Sequence, residues 1–169
     1  MARRALVAYG TKNGSTQGIA EAVAAALRTH TVETEVHPAS EVEDVSPYDL
    51  VVLGGALYAG RWHRDAVRFA RRHRAALLER AVWLFSSGPL DASATQRDIP
   101  PVRGARRAAA HLDARRHVTF GGRLEAGAQG RMARMIVESG RGGDYRDFDR
   151  IAAWATGIAE ECAAEAQLR

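Results

Sequence analysis

The sequence predicts an α/β domain in which helices cover both faces of a five-stranded, doubly wound parallel sheet. Two observations carry this. Apolar runs of strand length recur along the 169 residues with helical segments between them, which is the pattern of a parallel sheet buried on both sides. The first run, ending in "LVAYG", breaks at Gly10 into a polar turn that opens directly into a helix, the start of a βα unit. The length suits one domain, 1–169, with a core that needs no disulfide staples.

Strands are expected near Arg4–Tyr9, Val32–His37, Leu50–Gly54, Val82–Ser86 and Val118–Leu124. Between them, Ser15–Arg28 is Ala-rich with Ile19, Val23 and Leu27 at four-residue spacing, and Trp62–Leu78 puts Val67, Ala70, Leu77 and Leu78 on a face otherwise crowded with Arg. Both read as helices. A third is expected near Arg103–Asp113 and a last one at about Phe148–Ala166, capped by Asp147 or Asp149. The segment from Glu125 to Tyr145 is too long for a plain connection. Its cluster of Met132, Met135, Ile136 and Val137 predicts an insertion at about 125–145 with a short helix of its own.

Composition narrows the class. The net charge is +4, Lys12 is the only lysine, and Arg supplies the rest of the positive charge. That balance favours anionic ligands or an anionic membrane surface, or else reflects the general use of Ala and Arg in this chain. No recognition helix, zinc spacing or basic-aromatic interleaving points to nucleic acid. The apolar piece from Ala5 to Tyr9 is too short for a signal segment, no run approaches a membrane span, and a lone Cys162 forms no internal bridge. A cytoplasmic protein is expected, with peripheral association at the inner face of the membrane as the alternative.

The turn between Gly10 and Gly18 is an anion site in outline, because backbone N–H groups and the positive helix end converge there. It is neither of the commoner nucleotide loops. No Lys follows Gly14, and Gly10, Gly14 and Gly18 are spaced four apart, unlike G-x-G-x-x-G. What remains is Thr11, Asn13, Ser15 and Thr16 around Gly14, a ring of short neutral donors suited to a phosphate monoester that is held and not transferred. An ordinary turn with Ser15 or Thr16 as helix cap is the plainer alternative.

In such a sheet the ligand sits beyond the carboxyl ends of the strands, so the loops after strands one, three and four should converge. The third strand runs into "GGALYAGRWHRD" and the fourth into "SSGPLDAS". Gly54, Gly55 and Gly60 are expected to let backbone approach a flat ring, while Tyr58 and Trp62 either stack on that ring or begin the next helix and pack on the core. His63 alone nearby has a free pKa suited to proton exchange at neutral pH, unless it is simply a solvent-facing histidine at a helix start. Asp91 either accepts a hydrogen bond from the ligand or closes a turn after Pro89.

Thr11-Lys12-Asn13-Gly14-Ser15-Thr16 resembles the FMN-phosphate loop of the flavodoxin family, T/S-x-x-G-x-T. The run "VVLGGALYAGRWHRDAVRFARRH", followed by "FGGRL", "RMARMIVESGRGGDY" and "FDRIAAWATGIAEE", is similar over nearly the whole chain to menaquinone-dependent protoporphyrinogen IX dehydrogenases, a flavodoxin-like family. The resemblance implies a sheet in the order 2-1-3-4-5, FMN as cofactor, a porphyrinogen as reductant and a quinone as acceptor. It implies that Thr11, Lys12, Asn13, Gly14, Ser15 and Thr16 hold the phosphate. Ala56, Leu57, Tyr58, Gly60 and Trp62, with Ser87, Gly88, Pro89, Leu90 and Asp91, would frame the flavin ring. His63 would be the catalytic residue. A flavodoxin-type electron carrier without a small-molecule substrate is the other function the resemblance allows. Arg131 and Arg134 beside Met132, Met135 and Ile136 suit an anionic lipid surface or a porphyrin's propionates, or pack on the sheet edge.

Overall fold

In the computed structural model, which describes residues 3–124, 130–138, 140 and 142–169, β1 (Arg4–Gly10) is an interior strand of the sheet. Its small and branched side chains alternate between two apolar layers, so Ala5, Val7 and Tyr9 enter one core while Leu6 and Ala8 enter the other. β2 (Glu33–Pro38) and β3 (Leu50–Tyr58) flank it in parallel register, with Val7 opposite both Val36 and Val52. β5 (Ala81–Ser87) and β6 (Arg116–Phe120) extend the sheet on the far side of β3. Among the described residues the parallel strands therefore run β2-β1-β3-β5-β6, the expected 2-1-3-4-5 order when only parallel strands are counted.

Helices close both faces. α1 (Ser15–Thr29) buries Ile19, Val23 and Leu27 against β1 and against Ile151, Ala155 and Ile158 of α7 (Phe148–Gln167). Each large aliphatic side chain so buried contributes about 1.5–3 kcal/mol. Asp147, one of the two expected caps, accepts from the Arg150 N–H at 3.1 Å and starts α7. The other face holds α2 (Arg64–Arg72) and α5 (Arg103–Leu112), whose Ala66, Phe69, Ala105 and Leu112 pack under Leu53 and Leu84. Cys162 is buried in the first core, where desolvation raises its thiol pKa.

Three expected elements come out differently. The single helix over Trp62–Leu78 is divided: Trp62 belongs to β4 (Arg61–Trp62), and His73 leaves helical geometry between α2 and α3 (Arg74–Leu77). The division follows from contacts outside the helix, because Arg72 Nη2 donates to the Val42 carbonyl at 2.7 Å and the His73 ring lies 3.2 Å from the same oxygen. The fifth strand ends at Phe120, not Leu124. A Cβ at Gly121 would collide with the Tyr145 carbonyl, and the chain turns there so that β7 (Arg123–Leu124) pairs antiparallel with β8 (Gly143–Asp144). The short helix of the expected insertion is α6 (Arg131–Glu138). Within that segment, residues 125–129, 139 and 141 lie outside the described residues. Met135 is exposed, so it does not pack on the sheet edge.

Candidate functional site

The α1 entrance presents polar groups that the rest of the described chain does not satisfy. Gly14 takes a left-handed φ of 81° and provides no side-chain cap, which leaves the first-turn N–H groups of α1 facing outward. The hydroxyls expected there are used in three distinct ways. Thr11 Oγ1 accepts from the Gly14 N–H at 3.1 Å and shapes the turn. The Ser15 hydroxyl shares a 3.1 Å hydrogen bond with the Ser87 hydroxyl and accepts from the Arg123 N–H at 3.0 Å, tying three loops together. Thr16 is fully buried, and its Oγ1 has no hydrogen-bond partner among the described residues. An orphaned buried hydroxyl of this kind costs roughly 1–3 kcal/mol unless a bound group meets it. Neither Ser15 nor Thr16 caps α1, which removes the plainer alternative for the hydroxyls.

Cations surround this entrance. Lys12 Nζ stands 5.1 Å from the centre of the Tyr58 ring. The Arg123 guanidinium comes within 3.8 Å of where a Cβ on Gly14 would lie, and the Arg146 guanidinium fills the space above Gly18. Arg146 is held in place by Asp144 at 2.8 Å, and that contact keeps the Asp144 carboxyl below the usual carboxylate range. Asn13 lies half-buried within the turn.

The loops after β1, β3 and β5 do converge, and a fourth, after β6, joins them. Gly88 N–H donates to the Phe120 carbonyl and Gly122 N–H to the Pro89 carbonyl, both at 3.0 Å. Tyr145 N–H donates to Gly122 at 2.9 Å. Leu57 covers Gly88, where a Cβ would come within 2.5 Å of Leu57 Cβ. Ala56, Leu57, Tyr58, Gly88, Pro89 and Leu90 are half-buried along this rim, whereas Ser87 is buried. Sequence reasoning missed Gly121, Gly122, Arg123 and Arg146. The glycine pair in "FGGRL" was the available signal that backbone would be approached closely there.

The flat rings met by the β3 glycines belong to the protein itself. A Cβ on Gly54 would collide with the Phe85 ring and one on Gly55 with the Trp62 indole. Trp62 is 4% exposed, and its Nε1–H donates to the Phe85 carbonyl at 3.3 Å. Its faces are thus occupied by core packing and its N–H by backbone, so it is not free to stack on a ligand. Gly60 meets nothing within 4 Å of a notional Cβ. It is required instead by its φ of 73°, which with 50° at Ala59 makes the tight turn joining β3 to β4.

His63 caps α2, with Nδ1 accepting from the Asp65 N–H at 3.1 Å, and packs against Gly10. Burial pushes its pKa below the ordinary value despite Asp65 nearby. With Nδ1 used as an acceptor, the neutral ring carries its proton on Nε2. Its place in the structure is a helix cap, not the solvent-facing position expected for a bare helix start. Asp91 is exposed and accepts from the Ser93 N–H at 2.8 Å, and its hydrogen bonds to Ser93 hold its pKa down. It closes the turn after Pro89.

A parallel sheet in this order, with an uncapped glycine turn ringed by hydroxyls and cations after its first strand, defines a flavodoxin-like α/β protein. Residues 6–148 match the model of the flavodoxin domain family, and the chain belongs to that family. Membership makes FMN its cofactor. The site fits: an orphaned buried hydroxyl, outward backbone N–H groups and three cations suit a phosphate monoester. No curated protein matches the chain in sequence. Among solved structures it is similar to flavodoxin 2 from Bacillus cereus, at 17% identity and a TM-score of 0.64 over 94% of this chain and 99% of that one. A flavodoxin from the domain Archaea matches at 12% identity and 0.60 over 94% and 97%. Rubredoxin oxygen:oxidoreductase from Desulfovibrio gigas matches at 9% identity and 0.64, and this chain covers only 36% of it.

Proposed function

We propose that this chain is an FMN-dependent oxidoreductase acting on a small molecule, with a porphyrinogen as reductant and a quinone as acceptor, as its likeness to protoporphyrinogen IX dehydrogenases implies. In this reading the Thr16 hydroxyl and the first-turn N–H groups of α1 hold the phosphate. Thr11, Asn13, Gly14 and Ser15 shape the loop, and Lys12 adds charge. Ala56, Leu57, Tyr58 and Gly60, with Ser87, Gly88, Pro89, Leu90 and Asp91, form the rim for the ring. Bound FMN supplies the redox chemistry, and the protein supplies position, shielding and local charge.

The observation that carries the reading is the added wall at the loop cluster. Gly130, at the start of α6, is pressed against Lys12 and Tyr58: a Cβ there would lie 2.6 Å from Lys12 Nζ and 3.3 Å from the Tyr58 hydroxyl. Together with β7 and β8, this segment builds a flank beside Tyr58 that gives a small substrate something to bind against. A bare carrier needs only an open flavin edge. The His63 Nε2–H remains the proton donor of this proposal, held neutral by burial and fixed in orientation by the Asp65 N–H.

Anaerobic turnover of protoporphyrinogen IX by the FMN-loaded protein with a menaquinone analogue tests it. A rate no higher than autoxidation removes the substrate assignment. The second reading, an electron-transfer protein without its own substrate, is favoured by the near-complete coverage of short flavodoxins. Against it stands the charge of +4, since carriers that dock on basic reductases present acidic surfaces.

A further inference from the structure

Beyond the β3–β4 hairpin, α2 and α5 leave a cavity of about 700 Å³ between them. It shares only Gly60 and Trp62 with the loops assigned to FMN. Its floor is apolar: Trp62, Ala70 and Ala108 are buried there, and Val67 is half-buried beside them. Gly104 keeps the floor open, because a Cβ on it would already touch Trp62 at 3.4 Å and Val67 at 3.8 Å.

The rim is cationic by construction. Arg71 lies in the last turn of α2, four residues after Val67, Arg74 opens α3, and Arg103, Arg107 and His111 recur every four residues on α5, so basic side chains of three helices face the same opening. Arg61 joins them from β4. No Asp or Glu among the described residues lines the cavity. Among the described residues, the guanidinium groups of Arg61, Arg71, Arg103 and Arg107 make no ion pair or hydrogen bond, whereas Arg74 Nε donates to the His111 carbonyl at 3.2 Å. Like charges gathered without counterions repel one another, and a guanidinium fork matches carboxylate or phosphate in two-point contact.

We propose that this cavity is a second ligand site, separate from the FMN loops, for a small molecule with an apolar body bearing two or more carboxylate or phosphate groups. The volume falls in the range of small-ligand pockets, roughly 300–1,000 Å³, and the buried floor lies below the arginine rim, where a flat lipid or protein surface does not reach. The apolar body rests on Val67, Ala70 and Ala108, and the oxyanions bridge the two helices through Arg71 and Arg107.

The test is calorimetric titration of the FMN-loaded protein at low salt with three probes: naphthalene-2,6-dicarboxylate, its neutral dimethyl ester, and pyrophosphate. FMN occupies the other anion site during the experiment. Binding of the diacid (carboxylate ligand) or of pyrophosphate (phosphate ligand), without binding of the diester, supports the proposal if Arg71→Gln/Arg107→Gln weakens it about tenfold or more. Arg64→Gln/Arg68→Gln removes the same charge from α2 outside the cavity and should leave binding within about twofold. Equal weakening by both pairs, unchanged binding in Arg71→Gln/Arg107→Gln, or no binding of either anion overturns it. So does Arg71-dependent capture by phosphatidylglycerol vesicles when neither anion binds. Following the flavin absorbance in the same titration separates failure of this site from failure of the FMN reading, since a protein that keeps its FMN and binds neither anion lacks this site alone.

Discussion

Replacing Thr16 with Val should move stability and cofactor affinity in opposite directions. The side chain is fully buried on the first turn of α1, and its hydroxyl has no partner among the described residues. Val has the same shape and the same β-branch, so packing and rotamer are retained. Without FMN, the variant is relieved of an unpaired buried hydroxyl, a gain of about 1–2 kcal/mol in unfolding free energy. With FMN, it loses one hydrogen bond to an anion, worth about 1.5–3 kcal/mol, or roughly tenfold to hundredfold in dissociation constant. Urea unfolding of the flavin-free protein and fluorescence titration with FMN read the two halves separately. Ser15→Ala is the contrast. Its hydroxyl already serves Ser87 and the Arg123 N–H, so its loss should destabilise the flavin-free protein by about 1–3 kcal/mol. A flavin-free Thr16→Val protein that is less stable, with unchanged FMN affinity, would refute the reasoning.

Other outcomes follow from the same structure. His117 sits with Nε2 2.7 Å from the Ser86 hydroxyl, and burial lowers its pKa to about 4. The unfolded chain, with an ordinary pKa of about 6.5, therefore binds more protons between those values. Stability falls as pH drops through this window, by about 2 kcal/mol at pH ~5 from this group. His63 and His73 shift in the same direction, so the measurement is the difference between the native protein and His117→Gln in urea at the two pH values; equal losses would remove the assignment. Asp147→Ala should cost about 1 kcal/mol by uncapping α7, seen as a lower urea midpoint with unchanged FMN affinity. Gly60→Ala meets no atoms and should cost only about 1–2 kcal/mol of left-handed strain. Gly54→Ala runs into the Phe85 ring and should cost more, about 3 kcal/mol; the reverse ranking in thermal melts would contradict the packing described.

The parallel strands and the α1 entrance were legible because each rests on local pattern. Ala5 to Tyr9 is an apolar run of strand length, and the glycine turn before Ser15 and Thr16 leads straight into the Ala-rich stretch with Ile19, Val23 and Leu27 at four-residue spacing. Trp62 and His63 were not legible in the same way. A tryptophan after a glycine turn reads equally as a ring-stacking residue or a core residue, and only the presence of Phe85 and Gly55 around it makes it core. His63 was read from its free pKa, but Asp65 two residues on turns its Nδ1 into a helix cap. Gly54 and Gly55 of β3 suggest close approach to a ligand's flat ring, but the rings that meet them are Phe85 and Trp62, and Gly60 meets none. The fifth strand was drawn four residues too long because the break at Gly121 depends on the Tyr145 carbonyl, far along the chain.

The sequence by itself determined the fold class, the place of the polar turn that opens α1 and the small neutral side chains that line it, since periodicity and glycine placement act over a few residues at a time. Tertiary structure decided which hydroxyls are already spent and which one is left over. It also brought Arg123 and Arg146 to the α1 entrance and set the arginines of α2 opposite those of α5. Those relations join residues distant in sequence, and hydrogen-bond satisfaction and charge proximity exist only once the chain has brought them within a few ångströms.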